Sequence, residues 1–265
     1  MGDPFEPGGV TAYVAPAVTS EGARVVYKCT IPHDEAISEA EALRLYEGDG
    51  AVRVTASEPD TFEMLIEYCE PGSSLWNVGS DDERLQVATT LMRRLWRPVD
   101  AGTFTSLGAL TDSWAAITTR RLITLVPPWT PKPIERGIDL LQSLPHTTTR
   151  NVLLHQDLHP GNILAAQREP WLVIDPKPVV GDPAFDPVQL LIQSRGNVQE
   201  PPPHAELESR VAMIADLTGL DTERVALWAI ARCAEWTMWY FDRGLVVDAA
   251  INYTWARYLD AIFPD

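Results

Sequence analysis

Residues 151–176 read NVLLHQDLHPGNILAAQREPWLVIDP, and the fold and chemistry of the chain follow from how this stretch is parsed. The apolar run Val152–Leu154 predicts a strand entering a polar loop that carries His155, Asp157, His159 and Asn162. Ile163–Ala165 predicts a second short strand. After a turn over Gln167–Pro170, Trp171–Ile174 predicts a third, which ends on Asp175. Asp157, Asn162 and Asp175 thus fall where short strands meet loops, and strand-braced loops are common mounts for catalytic groups.

An Asp, an Asn five residues on, and a second Asp beyond the next hairpin suit phosphoryl transfer. One carboxylate takes the proton of the attacking hydroxyl, while an amide oxygen and another carboxylate hold the magnesium that bridges the phosphates. The run His155-Gln-Asp157-Leu158 to Asn162 matches the kinase catalytic-loop spacing H-x-D-L-x-x-x-N. A metal-hydrolase reading of His155-x-Asp157-x-His159 is the competitor, because alternate residues of an extended segment share a face. No further His lies near enough in sequence to complete that ligand set.

The run LLHQDLHPGNIL, followed by REPWLVIDPKPVVGDPAFD, resembles the aminoglycoside and hydroxyurea phosphotransferases, a family that includes streptomycin 6-kinases. The resemblance extends from about residue 8 onward. It implies a bilobal α+β fold of the protein-kinase type, with a small antiparallel-sheet lobe over residues 1–70 and a larger, mainly helical lobe over 71–265. It implies transfer of the γ-phosphoryl of ATP to a hydroxyl of an aminoglycoside-like (streptomycin-type) acceptor, with Asp157 as base and Asn162 and Asp175 on Mg2+. Another hydroxylated amine, hydroxyurea or a peptide antibiotic is the alternative acceptor; a nucleotide-binding protein with little transfer activity is a further alternative. Two departures stand out. Gln156 replaces the Gly commoner in this loop, a position where a side chain can point outward. Asp175-Pro-Lys replaces the Asp-Phe-Gly of protein kinases.

Upstream, Val10–Ala17 and Arg24–Ile31 predict two strands around the turn 19–22. An isolated Lys in a strand usually faces solvent, but Lys28 resembles the kinase lysine that contacts the phosphates. Residues 33–47 predict a helix. It must supply an acid to orient that lysine. Glu39 and Glu41 cannot share a face, and the family pattern favours Glu39. Residues 51–56 and 62–69 predict an antiparallel pair running into Glu70-Pro-Gly72, the expected hinge, where the Glu67 C=O and the Cys69 N–H would face adenine. The first nine residues hold three Gly and two Pro and no full G-x-G-x-x-G, which predicts a loose start, a short or missing first strand and an incomplete phosphate lid around Gly8-Gly9.

Downstream, Ser80-Asp-Asp-Glu83 is a capping box opening an apolar helical stripe. Helices are predicted near 110–122, 133–144, 204–218, 222–243 and 245–262, with Pro-rich loops at 127–133 and 196–203 and another helix starting after residue 181. Asp182 and Asp186 read as caps or loop braces. On the 222–243 helix, Trp228, Trp236, Trp239 and Tyr240 interleave with Glu235 and Asp242. Such aromatics are either core or a platform whose ring faces and acids take a cationic ligand.

The chain has 265 residues, enough for one large core or two modest ones, and 45% hydrophobic content is ordinary for a globular protein. Its net charge of −16, from 37 acids against 21 bases, argues against nucleic acid and could steer a cationic small molecule. No apolar run reaches membrane-spanning length, and Met1–Gly9 is unlike a secretory leader. Three scattered cysteines fit a reducing, cytoplasmic setting.

Overall fold

The computed structural model describes residues 1–5, 11–33, 36–100, 102–193 and 199–264. The N-terminal part is a four-stranded antiparallel sheet of order β1-β2-β4-β3: β1 Ala12–Val18, β2 Arg24–Thr30, β3 Val54–Glu58 and β4 Glu63–Glu67. Strand alternation puts Val26, Lys28 and Thr30 on one face of β2. That face lines a cleft, so Lys28 is buried rather than solvated. Helix α1 runs only from Glu39 to Leu45, shorter than the sequence pattern predicts; residues 34–35 lie outside the described set.

Residues 1–5 form no strand, yet they are not loose. The N–H of Gly2 donates to the Pro16 carbonyl (2.7 Å), and that of Phe5 to the Val14 carbonyl (2.9 Å), along the edge of β1. Pro4 lacks an N–H, so the pairing skips it. Gly8 and Gly9 lie outside the described residues.

The remainder is helical: α2 Asp81–Leu95, α3 Leu107–Leu125, α4 Lys132–Ser143, α5 Pro187–Gln193, α6 His204–Thr218, α7 Thr222–Asp242 and α8 Val246–Ile262. The Ser80/Glu83 capping box forms in both directions. Helix α3 begins earlier and ends later than predicted. Helix α4 starts inside the Pro-rich stretch, with Pro133 in its first turn, where its missing N–H costs nothing. Helix α7 is the axis of this part. Its residues 228–235 are all buried, and α3, α4, α6 and α8 pack around it. The approach of α4 requires a glycine: a Cβ on Gly137 would fall 2.2 Å from the Ala234 Cβ. No helix among the described residues is long and apolar enough to cross a membrane.

Between these parts lie two small ribbons: β5 Val152–Leu154 with β8 Val179–Gly181, and β6 Ile163–Ala165 with β7 Trp171–Val173. Strand β8 was not predicted; three residues between a proline and a polar turn carry no periodicity. The β6–β7 hairpin joins the two parts. Val52 N–H donates to Val173 O (3.0 Å), Val173 N–H to Gly50 O (2.9 Å), and Gly72 N–H to Ala165 O (3.0 Å). Gly72 has φ +73, and a Cβ there would meet the Cys69 carbonyl oxygen at 2.9 Å, so the linker turn needs glycine.

Candidate active site

The loop after β5 is held from inside. His155 is fully buried; its Nε2 meets the Ile174 carbonyl at 3.0 Å, and its Nδ1 accepts the Asp157 N–H at 3.3 Å. Those roles require the neutral ring protonated on Nε2, and burial pulls the His155 pKa below the usual value. Asp186, just ahead of α5, accepts the N–H groups of His155 (3.2 Å) and Gln156 (2.7 Å) and the Trp96 indole N–H (2.9 Å). Asp182 accepts the Trp228 indole N–H (2.7 Å) and Arg224 Nε (2.5 Å). Both acids are braces. Asp186→Ala leaves three buried donors without their acceptor, at about 1–3 kcal/mol each. Relaxation recovers part of that, so a loss of about 3 kcal/mol is expected in urea unfolding. A loss under about 1 kcal/mol would show that the loop does not depend on this carboxylate.

Gln156 is left-handed (φ 66), which explains why glycine suits the position. Its side chain does not take the outward direction open to it. It is buried and lines a cavity.

Both oxygens of Asp157 are engaged: Lys177 Nζ donates to Oδ2 (2.7 Å) and Gln189 Nε2 to Oδ1 (2.6 Å). Burial favours the neutral acid. The charges of Lys177 and His159 and the two donors outweigh it, and the pKa lies below the ordinary value. Asp157 is therefore a carboxylate at neutral pH. The Asn162 amide nitrogen donates to the Asp157 carbonyl (2.9 Å), which turns Oδ1 the other way, and the Ile174 N–H donates to the Asn162 carbonyl (3.0 Å). His159 Nδ1 accepts the Gly161 N–H (3.0 Å). Both ring nitrogens of His155 are occupied, and no group of three or more His, Cys, Asp or Glu among the described residues could hold a metal ion, which counts against the His155/Asp157/His159 metal-site alternative.

Lys28 Nζ lies 2.6 and 2.8 Å from the two Glu39 oxygens and 2.5 Å from Asp175 Oδ1. Glu39 is the acid that meets the lysine; Glu41 is exposed. Burial pulls the Lys28 pKa down, but the charges of Glu39 and Asp175 more than compensate and the ammonium is stabilised. Burial pushes Glu39 up to about 7, against the attraction of Lys28. The Lys28 and Glu39 side chains are 7% and 4% exposed, so removing one strands a buried charge. Glu39→Ala is expected to destabilise by about 3 kcal/mol, the low end for a broken buried pair because Asp175 remains. Glu41→Ala should stay within about 0.5 kcal/mol. Equal effects in denaturant unfolding would remove the distinction.

Lys28, Glu39, Glu67, Cys69, Asn162 and Asp175 all line one cleft of about 870 Å³ between the sheet and the helical part. The Glu67 carboxylate turns away from a ligand role: Arg168 clamps both its oxygens (2.9 and 3.0 Å) and also reaches the Gly48 and Ala51 carbonyls. Asp157 lines a second cavity of about 450 Å³, walled by α3, α5 and α7. Lys177 lines both.

In the second cavity, Glu235, Trp236, Trp239 and Tyr240 reach the wall. Asp242 instead pairs with Arg121 (3.0 Å), while Trp228 is core. The ring-face platform expected for a ligand cation is taken by the chain itself. The Arg232 guanidinium lies 3.9 Å from the Trp114 ring centroid and 4.3 Å from that of Trp236, and bonds Glu235 at 2.8 Å. Lys177, Gln189 and Arg232 were missed in the sequence. Only Lys177 had a signal, its place two residues after Asp175.

Asn162 Oδ1 and the Asp175 carboxylate are hard oxygen donors on one cleft wall. They fit a magnesium ion that keeps waters and shares substrate phosphates.

A buried Lys–Glu pair, an Asp–Asn–Asp set and two cavities that share Lys177, the partner of the loop aspartate, define a phosphotransferase of the protein-kinase-like fold. The chain belongs to the aminoglycoside/hydroxyurea antibiotic resistance kinase family, whose model matches residues 4–244. It is a small-molecule kinase. It is 30% identical to streptomycin 6-kinase of Streptomyces griseus, covering 91% of this chain and 78% of the relative. It is also 30% identical to hydroxyurea phosphotransferase of Kitasatospora aureofaciens, covering 90% and 68%. Among solved structures, choline kinase LicA from Streptococcus pneumoniae superposes with a TM-score of 0.66 at 15% identity, over 96% of this chain and 92% of that one. A thermostable mutant of aminoglycoside phosphotransferase APH(4)-Ia, in ternary complex with ADP and hygromycin B, gives 0.67 at 14% identity, over 96% and 90%.

Proposed function

We propose that this kinase transfers the γ-phosphoryl of ATP to a hydroxyl of an aminoglycoside-like, streptomycin-type acceptor. The nucleotide lies in the larger cleft and the acceptor in the smaller cavity, with the lobe boundary near residue 70. The observation that carries this reading is that the two spaces share Lys177, whose ammonium bonds Asp157 on the wall of the smaller one.

Lys28, oriented by Glu39, holds the phosphates. Backbone groups of Glu67 and Cys69 take the base. Asn162 and Asp175 hold magnesium, which supplies charge neutralisation on the phosphates. The acceptor hydroxyl approaches Asp157, which orients it and receives its proton as the oxygen attacks phosphorus. Positioning and electrostatics supply most of the rate.

A smaller acceptor such as hydroxyurea is the second reading, favoured by the modest 450 Å³ cavity and by the hydroxyurea-phosphorylating relative. The cationic character of the acceptor rests on the −16 net charge and on the streptomycin relatives. The cavity wall itself carries Arg121, Lys177 and Arg232 against Asp157 and Glu235. Mass spectrometry of streptomycin, other aminoglycosides and hydroxyurea, each incubated with protein, ATP and Mg2+, tests the assignment by the gain of one phosphoryl group. No gain on any of them overturns the acceptor reading.

A further inference from the structure

We propose that Lys177 is a catalytic residue of the transfer, its ammonium bridging Asp157 and the γ-phosphoryl group at the point where the two cavities join. The inference rests on the phosphoryl-transfer reading and adds a group that the loop motif does not contain.

Three observations carry it. Lys177 lines both the nucleotide cleft and the acceptor cavity. Its main chain is pinned, because its N–H donates to the His155 carbonyl (3.0 Å) and Pro176 precedes it. Its side chain, by contrast, is 33% exposed and ends 2.7 Å from Asp157 Oδ2. An ammonium has three donors, so it can keep Asp157 and still donate to a phosphoryl oxygen.

Among the described residues no other cation is so placed. Lys28 is enclosed by Glu39 and Asp175 on the sheet side of the cleft, and Arg232 is packed between Trp114 and Trp236 beside Glu235.

In the step, the acceptor oxygen forms a bond to the γ-phosphorus and its proton passes to Asp157. The bond from that phosphorus to the β,γ-bridging oxygen breaks, and ADP leaves with the electron pair. Lys177 transfers no proton. It donates hydrogen bonds to a non-bridging oxygen, where negative charge is concentrated in a loose transition state, and keeps the base within reach.

The test uses the full chain and needs no acceptor. Affinities for ADP and for the non-hydrolysable analogue AMP-PNP, both with Mg2+, are measured by titration calorimetry on wild type and Lys177→Met. A charge-assisted hydrogen bond to the terminal phosphoryl implies that AMP-PNP binds about tenfold more weakly in the variant, with ADP within about twofold. ATP turnover with water as acceptor should fall by about 10²–10³, with KM for ATP moving far less. Lys177→Arg should recover part of the rate, and methylammonium should raise the rate of Lys177→Ala. Neither response follows from a structural role.

Equal change in the two affinities, or turnover of Lys177→Met within about tenfold of wild type, overturns the proposal. Thermal melting accompanies each variant. If one unfolds, the same affinity comparison is read on Lys177→Gln. Absence of transfer to streptomycin and hydroxyurea overturns the acceptor reading and leaves this one standing, whereas a wild type that binds neither nucleotide overturns both.

Discussion

Asp157→Asn is expected to lower phosphoryl transfer by about 10²–10⁴-fold, the range of a positioned general base, while nucleotide affinity stays within about twofold. The substitution is nearly isosteric. Gln189 and Lys177 bond the two carboxylate oxygens, and an amide keeps one acceptor for them. What it removes is the site that takes the hydroxyl proton and the charge that holds Lys177. Asp157 lines the acceptor cavity rather than the nucleotide cleft, which is why binding and chemistry should separate. Steady-state transfer and nucleotide titration on the same preparation check it. Transfer within about tenfold of wild type would take the base role away from Asp157.

Removing the Asp175 carboxylate is expected to weaken binding of magnesium–nucleotide by about tenfold or more, and binding of metal-free nucleotide much less. The carboxylate offers a hard oxygen to the ion and repels bare phosphates, so its loss costs the magnesium complex far more than the metal-free nucleotide. Asp175 also sits at φ 60 and contacts Lys28. Alanine there adds backbone strain of roughly 1–2 kcal/mol to the loss of charge. Asparagine tolerates the left-handed conformation, so Asp175→Asn reads the charge alone and Asp175→Ala brackets it. Titrations with and without Mg2+ decide; equal losses under both conditions would end the metal-ligand assignment.

Much of the site was legible because its spacing is local. Asp157 to Asn162 lies within a single loop, and Asp175 follows one hairpin later. Regular helices with strong patterns were equally legible: α6 over His204–Thr218 coincides with the predicted 204–218, and the Ser80/Glu83 box caps α2 as read. Short or ambiguous elements were not. Helix α1 spans seven residues where fifteen were expected, and residues 34–35 of the expected range lie outside the described set. The N-terminal residues, dismissed for their prolines, are bound to β1 through the N–H groups of Gly2 and Phe5.

Sequence by itself determined the reaction class, the family, and the group of Lys28, Asn162 and Asp175 that meets in one cleft. Local chemistry needs those residue types at those intervals, and no distant contact changes their identity. Only the tertiary structure decided among alternatives that share one local pattern. Glu39 rather than Glu41 meets Lys28 because the docking of α1 turns that one carboxylate inward. Gln156 faces a cavity because Asp186, thirty residues away, fixes the backbone in a left-handed turn. Arg232 occupies the aromatic faces because α3 and α7 bring Trp114 and Trp236 to either side of it. Lys177 stands at the junction because β5 pairs with β8. That pairing brings two loops together through hydrogen bonds between residues too far apart in the chain for any periodicity to record.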